Sequence, residues 1–258
     1  MNVTNQNTKS REGIHTFVRN RYFYGKLLDV VHFEMEQNYV NGKRWMLNRM
    51  VTGYGVLCGL DVTPSPDGTG VVVSSGAAID RCGREIIVPR KTDPQTISPM
   101  PVCSDATKHA AGTCDCEQYV HLSICFKQCE SDPSPVSVDA CGTTTACSAS
   151  AIQERYSIEI TQGKIPEVDL TSSVPDFMLN GRLNYNALVE SVTRECADVT
   201  GDCCIPLANI AVPQSGGAIQ STDIDIAIRP IVYTNDMLLD IMLAMSGDVP
   251  ARSRGGKQ

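Results

Sequence analysis

From Asp29 onward, Val30, Phe33, Val40, Leu47 and Val51 recur in alternating three- and four-residue steps, with polar Gln37 and Arg44 on the same stripe. This spacing predicts an amphipathic helix of roughly 24 residues, about 36 Å long. Asp29 is a good N-cap and Gly53 a good stop. Tyr39, Trp45, Met46 and Met50 widen the apolar surface beyond one stripe. The polar interruptions point to a helix that faces a partner as well as its own core.

After Gly53 the period changes from helical to alternating. GVLCGLDV (55–62), VVVSSGAAID (71–80) and REIIVP (84–89) read as strands of an antiparallel meander, with turn chemistry at SPDGTG (65–70). YVHLSICFK (119–127) alternates, placing Val120, Leu122, Ile124 and Phe126 on one side, and RYSIEIT (155–161) resumes the pattern. Residues 90–118 and 128–152 are rich in Pro, Ser, Thr and Cys and read as two long loops, economically explained if cysteines staple them. A helix is expected over 184–196, strands over 204–212 and 224–232, and a short helix over 235–247. The expected class is α+β: mainly antiparallel β with a long N-terminal helix and two shorter ones. The expected organisation is a flexible arm (1–20), helix plus meander (21–90), a second β region with cysteine-rich loops (91–240), and the end of the terminal helix with a disordered tail (241–258). The boundary near 90–118 is soft, and one continuous domain is a close alternative.

Charge and composition narrow the function. With 22 basic and 29 acidic residues the formal charge is −7, and there is no Lys/Arg run to meet a phosphate backbone. Nucleic-acid binding is not expected. The N-terminal MNVTNQNTKSREG lacks the apolar core of a secretory signal, and no apolar stretch approaches about 20 residues. Synthesis in the cytoplasm without membrane insertion is therefore expected. Twelve cysteines invite disulfides, while a reducing compartment argues against them. A chain made in the cytosol and later released satisfies both.

Candidate chemistry is sparse. No nucleophile elbow, P-loop, dinucleotide fingerprint or zincin motif occurs, and GTGVVV (68–73) lacks the spacing and following helix of a phosphate loop. His32 and Glu36 share a helical face, and Asp223 and Asp225 share a strand face, but exposed polar pairs explain both. Cysteines are the one constellation: Cys114, Cys116, Cys125 and Cys129 are weak metal candidates, since their spacings match no ordinary zinc ribbon or finger. Disulfide staples, a structural zinc site and free thiols stay open. Cys203 and Cys204, being adjacent, are not expected to pair with each other. A zinc enzyme using His109 or His121 lacks a visible general base. No catalytic or cofactor-binding residue is expected.

Three blocks together carry a resemblance. They are RYFYGKLLDVVHFEMEQNYVNGKRWMLNRMVTGYGVLCGLDV (21–62), GAAIDRCGREIIVP (76–89), and the set ACSASAIQERYSIEI (146–160), CIPLANIAV (204–212) and RPIVYTNDMLL (229–239). Their order and chemistry resemble uncharacterised structural proteins of gene clusters for phage-tail-like contractile injection systems. The second block is also similar to β-domains of phage tail fibres and baseplate attachments. The resemblance spans roughly residues 21–240, is most specific in the first block, and is departed from by the dense cysteines over 103–147. It implies a non-enzymatic subunit, in the baseplate region or at a fibre attachment, that oligomerises with other subunits of a particle released extracellularly. Arg19, Arg21, Tyr22, Phe23, Tyr24 and Trp45 are then the interface candidates, being residue types favoured at hot spots. A stand-alone β module whose stapled loops recognise a glycan or surface protein is the alternative.

Overall fold

The computed structural model describes residues 15–97, 119–135, 147–167, 178–179, 182–193, 196, 199, 201–213 and 217–246. Helix α1 spans Val30–Leu47 and continues through a π-helical turn, Asn48–Thr52, so the helical run is 23 residues from Val30 to Thr52. Asp29 caps it as expected, its Oδ1 accepting from the Val30 N–H at 2.7 Å, and His32 Nδ1 accepts from the Asp29 N–H at 3.1 Å. This is a capping box with histidine in the position usually held by Glu or Gln. Gly53, at φ +80°, stops the helix.

The meander follows as β1 (Gly55–Gly59), β2 (Val62–Pro64), β3 (Gly70–Val73), β4 (Gly76–Ile79), β5 (Glu85–Val88) and β6 (Gln95–Thr96). The first two expected strands are each bent into two pieces, the third is the single strand β5, and β6 lies at the start of the stretch expected as a loop. Together they make two small antiparallel sheets, β1-β4-β5 and β2-β3-β6. The bend in the first strand is at Leu60, whose side chain is fully buried while its φ is +56°. Burying that side chain offsets a backbone angle that costs an L-residue about 1–2 kcal/mol. Gly59 and Gly76 let the strands cross there, since a Cβ on Gly59 would lie 2.0 Å from the Ser75 carbonyl oxygen.

Strands β7 (Tyr119–Pro135) and β8 (Cys147–Gln162) pair antiparallel along their length. This corrects the expectation of a loop over 128–152: its described parts are strands of one ribbon. Gln128–Pro135 and Cys147–Glu154 carry few strand-forming residues and have mostly exposed side chains, so neither composition nor alternation marks them. What holds them is pairing with each other, continued outward from the buried base of the hairpin. Strand β9 (Met178–Leu179) pairs antiparallel with β10 (Arg182–Leu183), and α2 covers Tyr185–Val192 with Asn184 as its N-cap. Strand β11 (Ile205–Ala211) joins β7, and β12 (Ile224–Asp225) joins β11, giving a sheet of order β12-β11-β7-β8. The expected strand over 224–232 is thus corrected to two residues. The chain turns at Ile226–Arg229, where Arg229 N donates to Ile226 O at 3.1 Å, and Pro230 cannot extend a ladder. It meets the meander again through a parallel bridge of Ile231 to Val56. Helix α3 spans Asn235–Ser246.

The fold is α+β with mostly antiparallel sheets and three α-helices among the described residues. One buried cluster draws on both halves of the chain, including Leu60, Val71 and Ile86 from the meander and Leu122, Ile124, Leu207 and Ile210 from the larger sheet. Two disulfides fasten this body, Cys82–Cys203 and Cys125–Cys204. The adjacent cysteines 203 and 204 lead into β11, where successive side chains point to opposite faces, so each reaches a different partner. Of the described disulfides, Cys82–Cys203 ties the meander to the larger sheet and Cys125–Cys204 ties β7 to the start of β11 within that sheet, whereas stapling of the two loops was expected. Cys129 and Cys147 on the ribbon are free and exposed, as are Cys58 and Cys196. Cys103, Cys114, Cys116 and Cys141, the arm over 1–14 and the tail over 247–258 lie outside the described residues.

Candidate assembly interface

The lead-in to α1 is a turn that orders itself. Lys26 N donates to Phe23 O at 3.1 Å and Gly25 takes φ +82°, the angle a type II turn demands at its third position. Lys26 Nζ donates to Asn20 Oδ1 and to Arg21 O, and sits about 6 Å from the Tyr22 and Phe23 ring centroids. Tyr22 Oη donates to Glu36 on α1. That hydrogen bond to a carboxylate raises the phenol's pKa above its ordinary value. The turn is thereby tied to the helix, with Tyr24 at its tip fully exposed, Phe23 62% exposed and Leu27 88% exposed. Arg19 and Arg21 are exposed on the same segment.

Upstream, Phe17 lies against α1 at Gly42, where a Cβ would stand 2.7 Å from its ring, and Lys43 Nζ is 4.9 Å from its centroid. Tyr39 meets Phe17 edge-on at 6.3 Å. At the other end, α1 stands on the β4–β5 turn. Asn48 Nδ2 donates to Gly83 O at 2.9 Å and Glu85 Oε1 at 2.8 Å, and Arg44 pairs with Glu85 at 3.1 Å. A Cβ on Gly83 would lie 2.0 Å from the Trp45 carbonyl oxygen, so only glycine allows this approach. Trp45 is half-buried at this foot, while the other five interface candidates lie at the opposite end of the helix.

No residue of α1 is buried. Val30, Val31, Phe33, Val40 and Leu47 are all more than half exposed, and the π turn adds exposed Met50 and Val51. Helix α3 (NDMLLDIMLAMS) likewise buries nothing and exposes Met242 and Met245. A helix apolar on nearly every side ordinarily sits inside a core, so the composition of 235–246 is itself a sequence signal for an interface, one that a search for a single apolar stripe misses. Leu27 and Leu28 are likewise legible as apolar residues outside the helical stripe.

The remaining candidates are each accounted for locally. His32 caps α1 and Glu36 holds Tyr22, so they do not form an acid/base pair. Asp223 accepts from Gln220 N at 2.8 Å and Asp225 from Ala227 N at 2.9 Å, each a turn-forming contact. His121 Nδ1 is 3.1 Å from Gly163 O, and His109 lies outside the described residues. Of the metal candidates, Cys125 is buried in its disulfide and Cys129 is exposed further out on β7. Cys125 and Cys204 instead share a site with Asp202 and Glu159, all four donor atoms lying within 4.8 Å of one another. A polar cleft of about 510 Å³ runs between α1 and the ribbon, lined by Gln37, Asn41, Gln128, Glu130, Ser150 and Glu154 among others.

Protein-family models, curated proteins and solved structures contain no match to this chain. Among the described residues no helix is long and apolar enough to cross a membrane.

Proposed function

We propose that this chain is a non-enzymatic structural subunit of a phage-tail-like contractile injection particle, in its baseplate region or at a fibre attachment. The single observation that carries the docking part of this reading is α1 with its lead-in turn, which holds a row of large apolar side chains outside the protein's own core. Contiguous apolar patches of this kind are interaction surfaces. A turn already fixed by Gly25, Lys26 and the Tyr22–Glu36 bond loses little entropy on docking. Full burial of Phe23 or Leu27 would stabilise a contact by roughly 1.5–3 kcal/mol each. The particle itself rests on the resemblance of residues 21–62, 76–89 and the later blocks.

Sedimentation of a gentle native lysate, with mass spectrometry of the particle fraction, tests the proposal. The expected result is co-sedimentation with sheath and tube proteins, lost when Phe23→Ser and Leu27→Ser are combined. A chain found only in the soluble fraction overturns it. The second reading, a β module recognising a glycan, is favoured by the cleft between α1 and the ribbon, whose amides, carboxylates and hydroxyls are the groups that bind sugar hydroxyls. Glycan-array binding abolished by Gln37→Ala with Glu130→Ala would select it.

A further inference from the structure

We propose that Cys125, Cys204, Asp202 and Glu159 form a zinc site when the Cys125–Cys204 disulfide is reduced, so that one position alternates between a covalent staple and a metal staple. The inference concerns the isolated chain and does not rest on the particle reading.

The four donor atoms already lie within 4.8 Å of one another. Tetrahedral zinc, with bonds of about 2.3 Å to sulfur and 2.0–2.2 Å to oxygen, needs donor separations of roughly 3.3–3.8 Å. Movements of about an ångström bring the carboxylates in, and the sulfurs can part once their bond is broken. The backbone sets these positions. Ser123 is paired with Glu159 and Cys125 with Ser157, so Cys125 and Glu159 share a sheet face as diagonal neighbours. Ile205 pairs with Ile124, which puts Cys204 beside Cys125, and Asp202 bends back so that its Oδ1 is 3.0 Å from Cys204 Sγ. The carboxylates are themselves held: Lys127 Nζ is 3.3 Å from Glu159 Oε1, and Cys204 N donates to Asp202 Oδ1 at 3.3 Å. Such outer contacts orient ligands for a metal. Lys127 also offsets part of the charge that two thiolates and two carboxylates would place around a divalent ion.

The switch balances with a low-molecular-weight thiol as reductant. Its thiolate attacks Cys204 Sγ, the half-buried sulfur, while Cys125 and both sulfurs of Cys82–Cys203 are buried. The Cys125 thiolate leaves, and a second thiol attacks the external sulfur of the mixed disulfide. The products are two cysteine thiols and the reductant's own disulfide. Zinc then replaces the two thiol protons, which pass to solvent. Running the same exchange backward, from an oxidised low-molecular-weight thiol, restores the protein disulfide and expels the ion.

The test uses the purified full chain, reduced with a non-chelating phosphine and titrated with cobalt(II), then zinc. Expected is a tetrahedral cobalt–thiolate spectrum that zinc abolishes, absent from the oxidised chain. Asp202→Asn with Glu159→Gln should weaken cobalt binding at least about tenfold while leaving both disulfides in the oxidised protein. Should reduction unfold the chain, zinc-induced recovery of the folded circular dichroism in wild type, and not in the carboxylate variant, supports the site equally. Equal cobalt affinity and spectrum in the two proteins, no binding by reduced wild type, or loss of fold that zinc does not restore overturns the proposal.

Discussion

At the scale of single residues, polar side chains near turns and helix ends hold backbone, including His32, which the sequence also offered as a chemical candidate. His32 and Asp29 close the helix start, and Asp67 accepts from Ser65 Oγ, Thr69 Oγ1 and Thr69 N in the turn before β3. Those hydrogen bonds, led by the one from Ser65, depress the Asp67 carboxyl from 3.8 to about 2. The folded state therefore takes up this proton less readily than the unfolded chain. The stabilisation is whole above about pH 4 and drains away as pH falls toward about 2. Unfolding midpoints measured across that window should fall more steeply for wild type than for Asp67→Asn. Gly83 offers a second test, since at φ +87° and against the Trp45 carbonyl it has no room for a methyl group. Gly83→Ala should cost about 1–3 kcal/mol in denaturant unfolding, because both backbone strain and a displaced helix foot oppose it. Other buried roles gave no sequence signal. Asn209, fully buried, donates to Ile165 O at 2.8 Å and accepts from Ile165 N at 3.0 Å, binding the segment after β8 to β11. Asp80 is buried beneath Arg84, which it meets at 2.7 Å, and burial raises its pKa despite that partner.

At the scale of elements, α1 was legible from end to end because its signals are local: a capping aspartate, a 3.6-residue period and a terminating glycine. Its placement was not, because the same apolar stripe serves a helix packed on its sheet or one standing off it. Leu27→Ser and Phe23→Ser, made where side chains are exposed, should change the isolated chain's stability by no more than about 0.5 kcal/mol. A loss of association without loss of thermal stability is the expected signature, read by sedimentation velocity and calorimetry together. The ribbon behaves differently. Lys127 and Arg155 are paired in register, so replacing residues 128–154 by Asn-Gly should close a tight hairpin at the edge of the core. The truncated protein is expected to keep the circular dichroism of the β body and unfold within about 1 kcal/mol of wild type, since no described residue of the outer ribbon belongs to the buried cluster. A collapse of the body on truncation would show that the ribbon supports it.

At the scale of the molecule, the disulfides join parts distant in sequence. Cys82 and Cys203 are 121 residues apart, and Cys125 and Cys204 are 79 apart. Closing loops of this size restricts the unfolded chain, an effect typically worth about 2–4 kcal/mol. Cys82→Ser with Cys203→Ser should lower the unfolding free energy by about that amount and leave the body folded, as the hydrophobic cluster spans both halves. The same cluster explains why the two cysteines that begin β11 matter beyond their own strand. One ties the meander's β4–β5 turn to the larger sheet, and the other ties β11 to β7. Reduction and the proposed zinc exchange would act on the second tie while the first, more buried, persists.

By itself the sequence determined what depends on neighbours a few residues apart: the helix over 30–52, the meander's three strand directions, the short helices over 185–192 and 235–246, and the alternating base of the β7–β8 hairpin. Each rests on a period, a cap or a turn that a linear reading contains. Tertiary structure decided what depends on residues far apart. It bent the meander at Leu60, extended the ribbon through segments with no strand character, and ended β12 after two residues. It also brought Cys125, Glu159, Asp202 and Cys204 together and left the faces of α1 and α3 uncovered. Those outcomes follow from long-range pairing and from which surfaces the core has room to bury; the all-round apolar composition of 235–246 is the one local hint among them.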